Sequence, residues 1–262
     1  MLIFIKLGGS LITDKQVASS FRAEVMARLA DEIRLAVSAD PSLRVVVGHG
    51  SGSFGHVAAK KYGTATGVSD SAGWLGFAEV AHAAGELNYR VLNSLRTAGL
   101  PAMKFSPSAS AIAADIRIQH MAIEPIKRAL EHGIVPLVHG DVGFDDIRGG
   151  TILSTETVFI HLAAHLPVEQ VLLLGEVRGV YDQSGAVISE ITPSRLAEVE
   201  AALGSSGGVD VTGGMETKVK DMLALVSAQP RLKIRIMDGL QPGLLTRTLL
   251  GQSSEGTLIR QD

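Results

Sequence analysis

Gly48-His49-Gly50-Ser51-Gly52-Ser53-Phe54-Gly55-His56 is the stretch whose reading decides this chain. Before it, Arg44-Val45-Val46-Val47 is a short β-branched run that reads as a buried strand. After it, Val57-Ala58-Ala59-Lys60-Lys61-Tyr62 can start a helix. Glycines and serines therefore crowd the place where a strand hands over to a helix. Glycine lets backbone N–H groups turn towards a ligand with no Cβ in the way. A helix N-terminus adds unpaired donors and the positive end of its dipole. Together they make a seat for an anion, and phosphate fits it best.

The same stretch contains a G-x-G-x-x-G spelling at Gly50, Gly52 and Gly55, with Asp70 at about the spacing of a ribose-binding acid. That reading needs the acid to end a second apolar strand. Gly63-Thr64-Ala65-Thr66-Gly67-Val68-Ser69 is no strand, so a dinucleotide fingerprint is rejected. The G-x-x-x-x-G-K-[ST] phosphate loop is also absent, since the chain has no Gly-Lys pair.

Working outward, the 262 residues alternate between strand and helix patterns. Strands are expected at Leu2 to Leu7, Val45 to Val47, Ile134 to Val138, Val171 to Leu174 and Ile234 to Met237. Gly256 to Ile259 reads as a last edge strand. Helices are expected at Phe21 to Ala39, Ser71 to Thr97, Ile123 to Glu131 and Ser154 to Leu166, and from the Asp210–Met215 turn to about Ser227. No linker, repeat or low-complexity tract divides the chain, so residues 1–262 read as a single domain. Such alternation predicts an α/β fold, a three-layer αβα sandwich around a mostly parallel sheet. Ligands in such sheets sit at the carboxyl ends of the strands, where several glycine turns of this chain fall.

Composition sets the limits. Hydrophobic residues make up 46% of the chain and charged residues 19%, enough for a sizeable core. The net charge of −3 argues against a nucleic-acid surface. The chain has no cysteine, which excludes disulfides and thiolate metal sites. Met1 to Ile5 is apolar but ends at Lys6, too short for a signal peptide, and no run reaches the length of a membrane span. A cytoplasmic protein without membrane contact is the expectation.

Three lysines stand near glycine turns. Lys6 ends the first strand just ahead of Gly8-Gly9-Ser10. Lys15 lies beyond that turn. Lys218 follows Gly214 by one helical turn. Phosphoryl transfer asks the protein mainly for in-line positioning and for positive charge along the path of the transferred group. A lysine inside an apolar strand, as Lys6 is, needs a partner.

Lys6-Leu7-Gly8-Gly9-Ser10, the 49–56 loop, Gly140-Asp141-Val142 and Thr212-Gly213-Gly214-Met215-Glu216-Thr217-Lys218 together resemble the amino acid kinase superfamily, over nearly the whole chain. Gly52-Ser53-Phe54-Gly55-His56 followed by Lys60-Lys61-Tyr62 is most similar to the isopentenyl phosphate kinases. The resemblance implies transfer of the ATP γ-phosphoryl group to isopentenyl phosphate, with Mg2+ as a requirement and a homodimer as the assembly. It implies an N-terminal acceptor part and a C-terminal ATP part. Lys6, Leu7, Gly8, Gly9, Ser10, Gly52, Glu176, Gly214 and Lys218 would hold ATP. Lys15, with Lys6 and His56, would act on the reacting phosphates. Ser51, Gly55, His56 and Thr155 would hold the acceptor. Where many relatives read Ser-Gly-Asp, this chain reads Ser154-Thr155-Glu156, which makes Glu156 the candidate for the acid that orients the lysines. Where they often carry Thr-Asp near the adenosine, it reads Gly175-Glu176.

Other readings are a fosfomycin-type phosphonate kinase of the same fold, and a non-catalytic binder of nucleotides or anions. No metal ligands are assigned. His161 and His165 read as structural histidines, and Asp145-Asp146 as a solvated loop. Trp74, Phe77 and Ala81 either belong to the core or close an apolar pocket.

Overall fold

The computed structural model describes residues 1–14, 16–196 and 214–262; for His56 and Val57 it describes the backbone. The chain runs β1 (Leu2–Leu7), α1 (Gly9–Ile12), α2 (Ala23–Ala39), β2 (Arg44–His49), α3 (Gly52–Tyr62), α4 (Ser71–Thr97), β3 (Ala102–Lys104), β4 (Ile112–Ala114), β5 (Arg117–His120) and α5 (Glu124–Glu131). It continues with β6 (Val135–His139), β7 (Asp141–Asp145), β8 (Gly149–Leu153), α6 (Thr155–Ala163), β9 (Gln170–Gly175), β10 (Glu190–Ile191), α7 (Gly214–Ala228), β11 (Lys233–Asp238), α8 (Leu244–Leu249) and β12 (Thr257–Ile259).

The main sheet has the order β10-β12-β11-β9-β1-β2-β6-β3. From β11 to β3 every neighbouring pair is parallel, and β12 runs antiparallel to β11. The strand expected at the edge, β12, instead lies one place in, because β10 pairs outside it.

Side chains alternate between the two faces of a strand. Ile3, Ile5 and Leu7 of β1 pack with α2, α4 and α8, through Met26, Leu29, Leu87, Val91, Leu244 and Leu245. Leu2 and Phe4 pack on the opposite face with α5, α6 and α7, through Ile126, Val158, Leu162, Val219 and Met222. The mostly parallel αβα sandwich expected from the alternation is therefore the fold. The same period turns Lys6 towards the α6–α7 face.

A second sheet, β5-β4-β7-β8, lies outside this sandwich. It was not expected. Asp145, read as part of a solvated loop, is buried, and its carboxylate accepts hydrogen bonds from the backbone N–H of Asp115, Ile116, Ile147 and Arg148. A fully hydrogen-bonded carboxylate tolerates burial, and here it staples the β7–β8 turn to the β4–β5 turn.

Candidate active site

The two glycine turns meet at the ends of neighbouring strands. Leu7 pairs with His49 in the sheet, so the turns that follow β1 and β2 leave side by side. A Cβ on Gly9 would stand 2.7 Å from the Gly52 backbone nitrogen, so a side chain there would force the turns apart. Gly52 itself has φ +50, a conformation glycine adopts readily. That dihedral starts α3 at Gly52, five residues before the helix start expected from Val57, so the anion-seat residues form the first turn of the helix. Ser51 is the residue before it, Gly55 lies within its first turn, and the His56 backbone follows. The His56 side chain and the whole of Lys15 lie outside the described residues.

Around this first turn three further residues converge. Thr155 donates its hydroxyl to the His49 carbonyl at 2.6 Å, and Gly140 donates its N–H to the same oxygen at 2.9 Å. Thr155 opens α6, whose N-cap Ser154 accepts a hydrogen bond from the Thr157 N–H. Glu156, next in that turn, forms a hydrogen-bonded ion pair with Lys6. Burial alone would push the Glu156 carboxyl up; the Lys6 and Lys218 charges outweigh burial and hold it below the usual carboxylate range. Lys218 lies one turn into α7, whose first residue is Gly214. Asp221, on the next turn of α7, is pushed up by burial and by the neighbouring Glu156 charge. Lysines from β1 and α7 thus share one acid on α6.

Gly8 and Gly9 sit where β1 gives way to α1, and the Gly8 N–H donates to Leu174 of β9. Ser10 lies in α1. Glu176 follows β9, and its carboxylate accepts a hydrogen bond from Arg22 at 2.6 Å.

A cavity of about 70 Å³ opens beside the anion seat. Its polar end is Ser51, Gly55, Gly140 and Asp141; its apolar walls are Ala59, Val80, Ala84 and Ile152. Of the residues expected to close an apolar pocket, Phe77 packs behind Val80 with Val68 and Val142, and Trp74 stacks near Phe77 and Phe144 at the surface. Val80 and Ala84 read in the sequence only as part of the apolar side of the 71–97 helix, because such a stripe looks the same whether it faces a core or a cavity. Behind the seat, Asn88 donates to His49, and His49 stacks on His139 at a centroid separation of 5.5 Å. Burial, with His139 beside it, lowers His49 to about 3, and burial lowers His139 to about 4, so both rings are neutral. His161 and His165 lie elsewhere, with ring centroids 4.6 Å apart on α6.

The sequence profile of the amino acid kinase family matches residues 1–238. The chain belongs to the amino acid kinase family. Within that family it is 34% identical to isopentenyl phosphate kinase of Methanothermobacter thermautotrophicus, over 98% of both chains. It is 39% identical to isopentenyl phosphate kinase of Haloferax volcanii, over 86% of this chain and 88% of that one. A crystal structure of an isopentenyl phosphate kinase superposes with a TM-score of 0.83 at 30% identity, over 99% of this chain and 100% of that one. The two glycine turns leave the carboxyl ends of β1 and β2, which is where ligands sit in mostly parallel sheets of this kind. Among the described residues no helix is long and apolar enough to cross a membrane.

Proposed function

We propose that this chain transfers the γ-phosphoryl group of ATP to isopentenyl phosphate, giving isopentenyl diphosphate and ADP. One observation carries the choice of acceptor: a small cavity walled by Ala59, Val80, Ala84 and Ile152 opens directly on the anion seat at Ser51 and Gly55. That shape takes a short apolar tail attached to a phosphate, and it offers little to the compact polar epoxide of a phosphonate antibiotic. An acceptor phosphate oxygen is already anionic when it attacks, so the step needs no general base. The γ-phosphorus–oxygen bond to ADP breaks as the new phosphorus–oxygen bond forms, and charge is conserved without a proton.

The work left to the protein is alignment and charge neutralisation. On this reading the Lys6–Ser10 turn, Gly52, Gly214 and Lys218 hold the ATP phosphates. Lys15 bridges donor and acceptor, and Glu156 orients Lys6 and Lys218. Ser51, Gly55, His56 and Thr155 hold the acceptor phosphate. The chain works as a single domain with its acceptor side N-terminal and its ATP side C-terminal. Mg2+ is a hard cation that binds phosphate oxygens and keeps several waters, and it would enter with ATP and spread the charge of the phosphates. The glutamate and aspartate beside Lys218 are carboxylates of the kind that suit it. A cytoplasmic location and a homodimer complete the reading, the dimer supported by Leu75 and Tyr89, which α4 leaves exposed.

Release of ADP with isopentenyl phosphate, with fosfomycin and with no acceptor tests the proposal. Isopentenyl phosphate should give the highest kcat/KM by a wide margin; equal turnover with fosfomycin, or none with either, overturns it. His56→Ala should lower kcat/KM for the acceptor roughly ten- to a hundred-fold while the KM for ATP stays near wild type, as expected for loss of one charge-assisted hydrogen bond. Equal losses for both substrates would remove His56 from the acceptor site.

A further inference from the structure

Residues 12–14 and 16–22 form a built hairpin. Thr13 pairs with Phe21 in an antiparallel bridge. The Asp14 N–H donates to Ser20, the Ser20 N–H donates to Val17, and the Arg22 N–H donates to Ile12. The Asp14 carboxylate accepts from the Gln16 N–H, and Ser19 takes φ +54 to close the tip. Both ends of this hairpin are fixed. The Thr13 hydroxyl donates to the Gly9 carbonyl at 2.7 Å and accepts from the Ser53 N–H at 3.0 Å, which ties one end to both glycine turns. Arg22, at the other end, accepts from the Met26 N–H as α2 begins.

From that second end the Arg22 guanidinium reaches Glu176, 154 residues away in sequence, at 2.6 Å. Glu176 stands on firm ground too, because the preceding Gly175 carbonyl accepts the Gly239 N–H and so joins the turn after β9 to the turn after β11. The ion pair therefore links the hairpin of the N-terminal half to the turn of the C-terminal half.

We propose that Arg22 and Glu176 are a positioning pair that fixes the hairpin closed by Thr13 and Phe21 against the β9 turn, so that the acceptor and nucleotide halves meet in register. The inference rests on the reading of Lys15 as the bridge between the two phosphates, and it gives Glu176 a task other than contact with adenosine. Both side chains are about one-third exposed, 34% and 36%. Ion pairs so open to water add little to folding stability. Loss of the pair should therefore register in catalysis rather than in melting temperature, because small misplacements of an aligning group are costly to rate.

Arg22→Gln, Glu176→Gln, the exchanged pair Arg22→Glu with Glu176→Arg, and Lys15→Ala test this by steady-state kinetics and thermal melting. Each glutamine variant should lower kcat roughly ten-fold, with both KM values within about two-fold and the melting temperature within about 2 °C of wild type. The exchanged pair should recover kcat to within about three-fold of wild type, which a residue of merely local structural value would not do. A raised KM for ATP with kcat intact in Glu176→Gln would overturn the proposal in favour of a nucleotide contact. So would unchanged kcat in both glutamine variants, or an exchanged pair no better than the singles. If Lys15→Ala loses turnover while Arg22→Gln does not, the positioning role alone fails. If Lys15→Ala turns over normally, the phosphate-bridging reading fails and the positioning role with it.

Discussion

Lys6 shows how one residue carries information from sequence to site. Its place in an apolar strand demanded a partner, and the two-residue period of β1 turned it to the face where α6 supplies Glu156. Both side chains are largely buried, at 11% and 18% exposure, so neither charge is well served by water. Glu156→Gln should accordingly cost about 3 kcal/mol of stability, the low end for breaking a buried pair from one side. It should also lower kcat by at least about ten-fold as Lys6 and Lys218 lose their shared acid. Denaturant unfolding and steady-state kinetics on the same preparation check both; full activity in a stable variant would show that the lysines hold their places without it. Glu156→Asp should fall between, since it keeps the charge on a shorter arm.

At the scale of elements, α3, α4 and the β7–β8 hairpin enclose the cavity proposed to take the acceptor. Ala84→Leu adds a side chain of about the cavity's own size at one wall, and overpacking of this kind costs roughly 1–3 kcal/mol. It should raise the KM for isopentenyl phosphate by at least about ten-fold with the KM for ATP unchanged; an unaltered acceptor KM would mean that the tail lies elsewhere. The central strands were legible because each is a run of β-branched or leucine residues, as Val45-Val46-Val47 and Val171-Leu172-Leu173-Leu174 show. Helix α4 was legible to the residue, from Ser71 to Thr97, because a long apolar stripe runs along it; in the structure Asp70 caps its start by accepting from the Gly73 N–H. The outer sheet was not legible, for a physical reason. Asp141-Val142-Gly143-Phe144-Asp145 carries glycine and two acids where a strand would carry apolar residues. What holds it in place is Asp145, and the donors that satisfy Asp145 include Asp115 and Ile116, two residues with positive φ brought in from about thirty positions away. No local pattern announces such a partner. The pairing of Glu156 with Lys6 was legible only as a need of Lys6, and Arg22, read as part of the 21–39 helix, gave no signal at all, since a helix arginine most often faces water.

Over the whole molecule, acid is the condition to which the fold is most exposed. His49 and His139 end adjacent strands, face Asn88, Asp141 and Lys104, and are buried in neutral form with folded values of about 3 and about 4 against 6.5 for the free side chain. The unfolded chain therefore binds more protons than the folded one between these values. Stability is full above about pH 6.5 and falls as the pH drops, by about 2 kcal/mol per histidine at pH 5. Glu156, held low in the folded state, adds a loss of the same sign below about pH 4.5. The melting temperature should fall steadily from pH 7 to pH 5, and His139→Gln should flatten the slope; a melting temperature constant across that window would refute the account. The strand order has one more consequence, and it concerns time. β1 is made before the other strands of the sheet and lies in the middle of it, yet only β2 follows it promptly. Its other neighbour, β9, begins at Gln170. For most of synthesis the nascent chain holds β1 bare along one edge, with Ile3 and Ile5 beside an empty lane. That bare edge invites a second nascent chain, and it stays open until β9 has emerged.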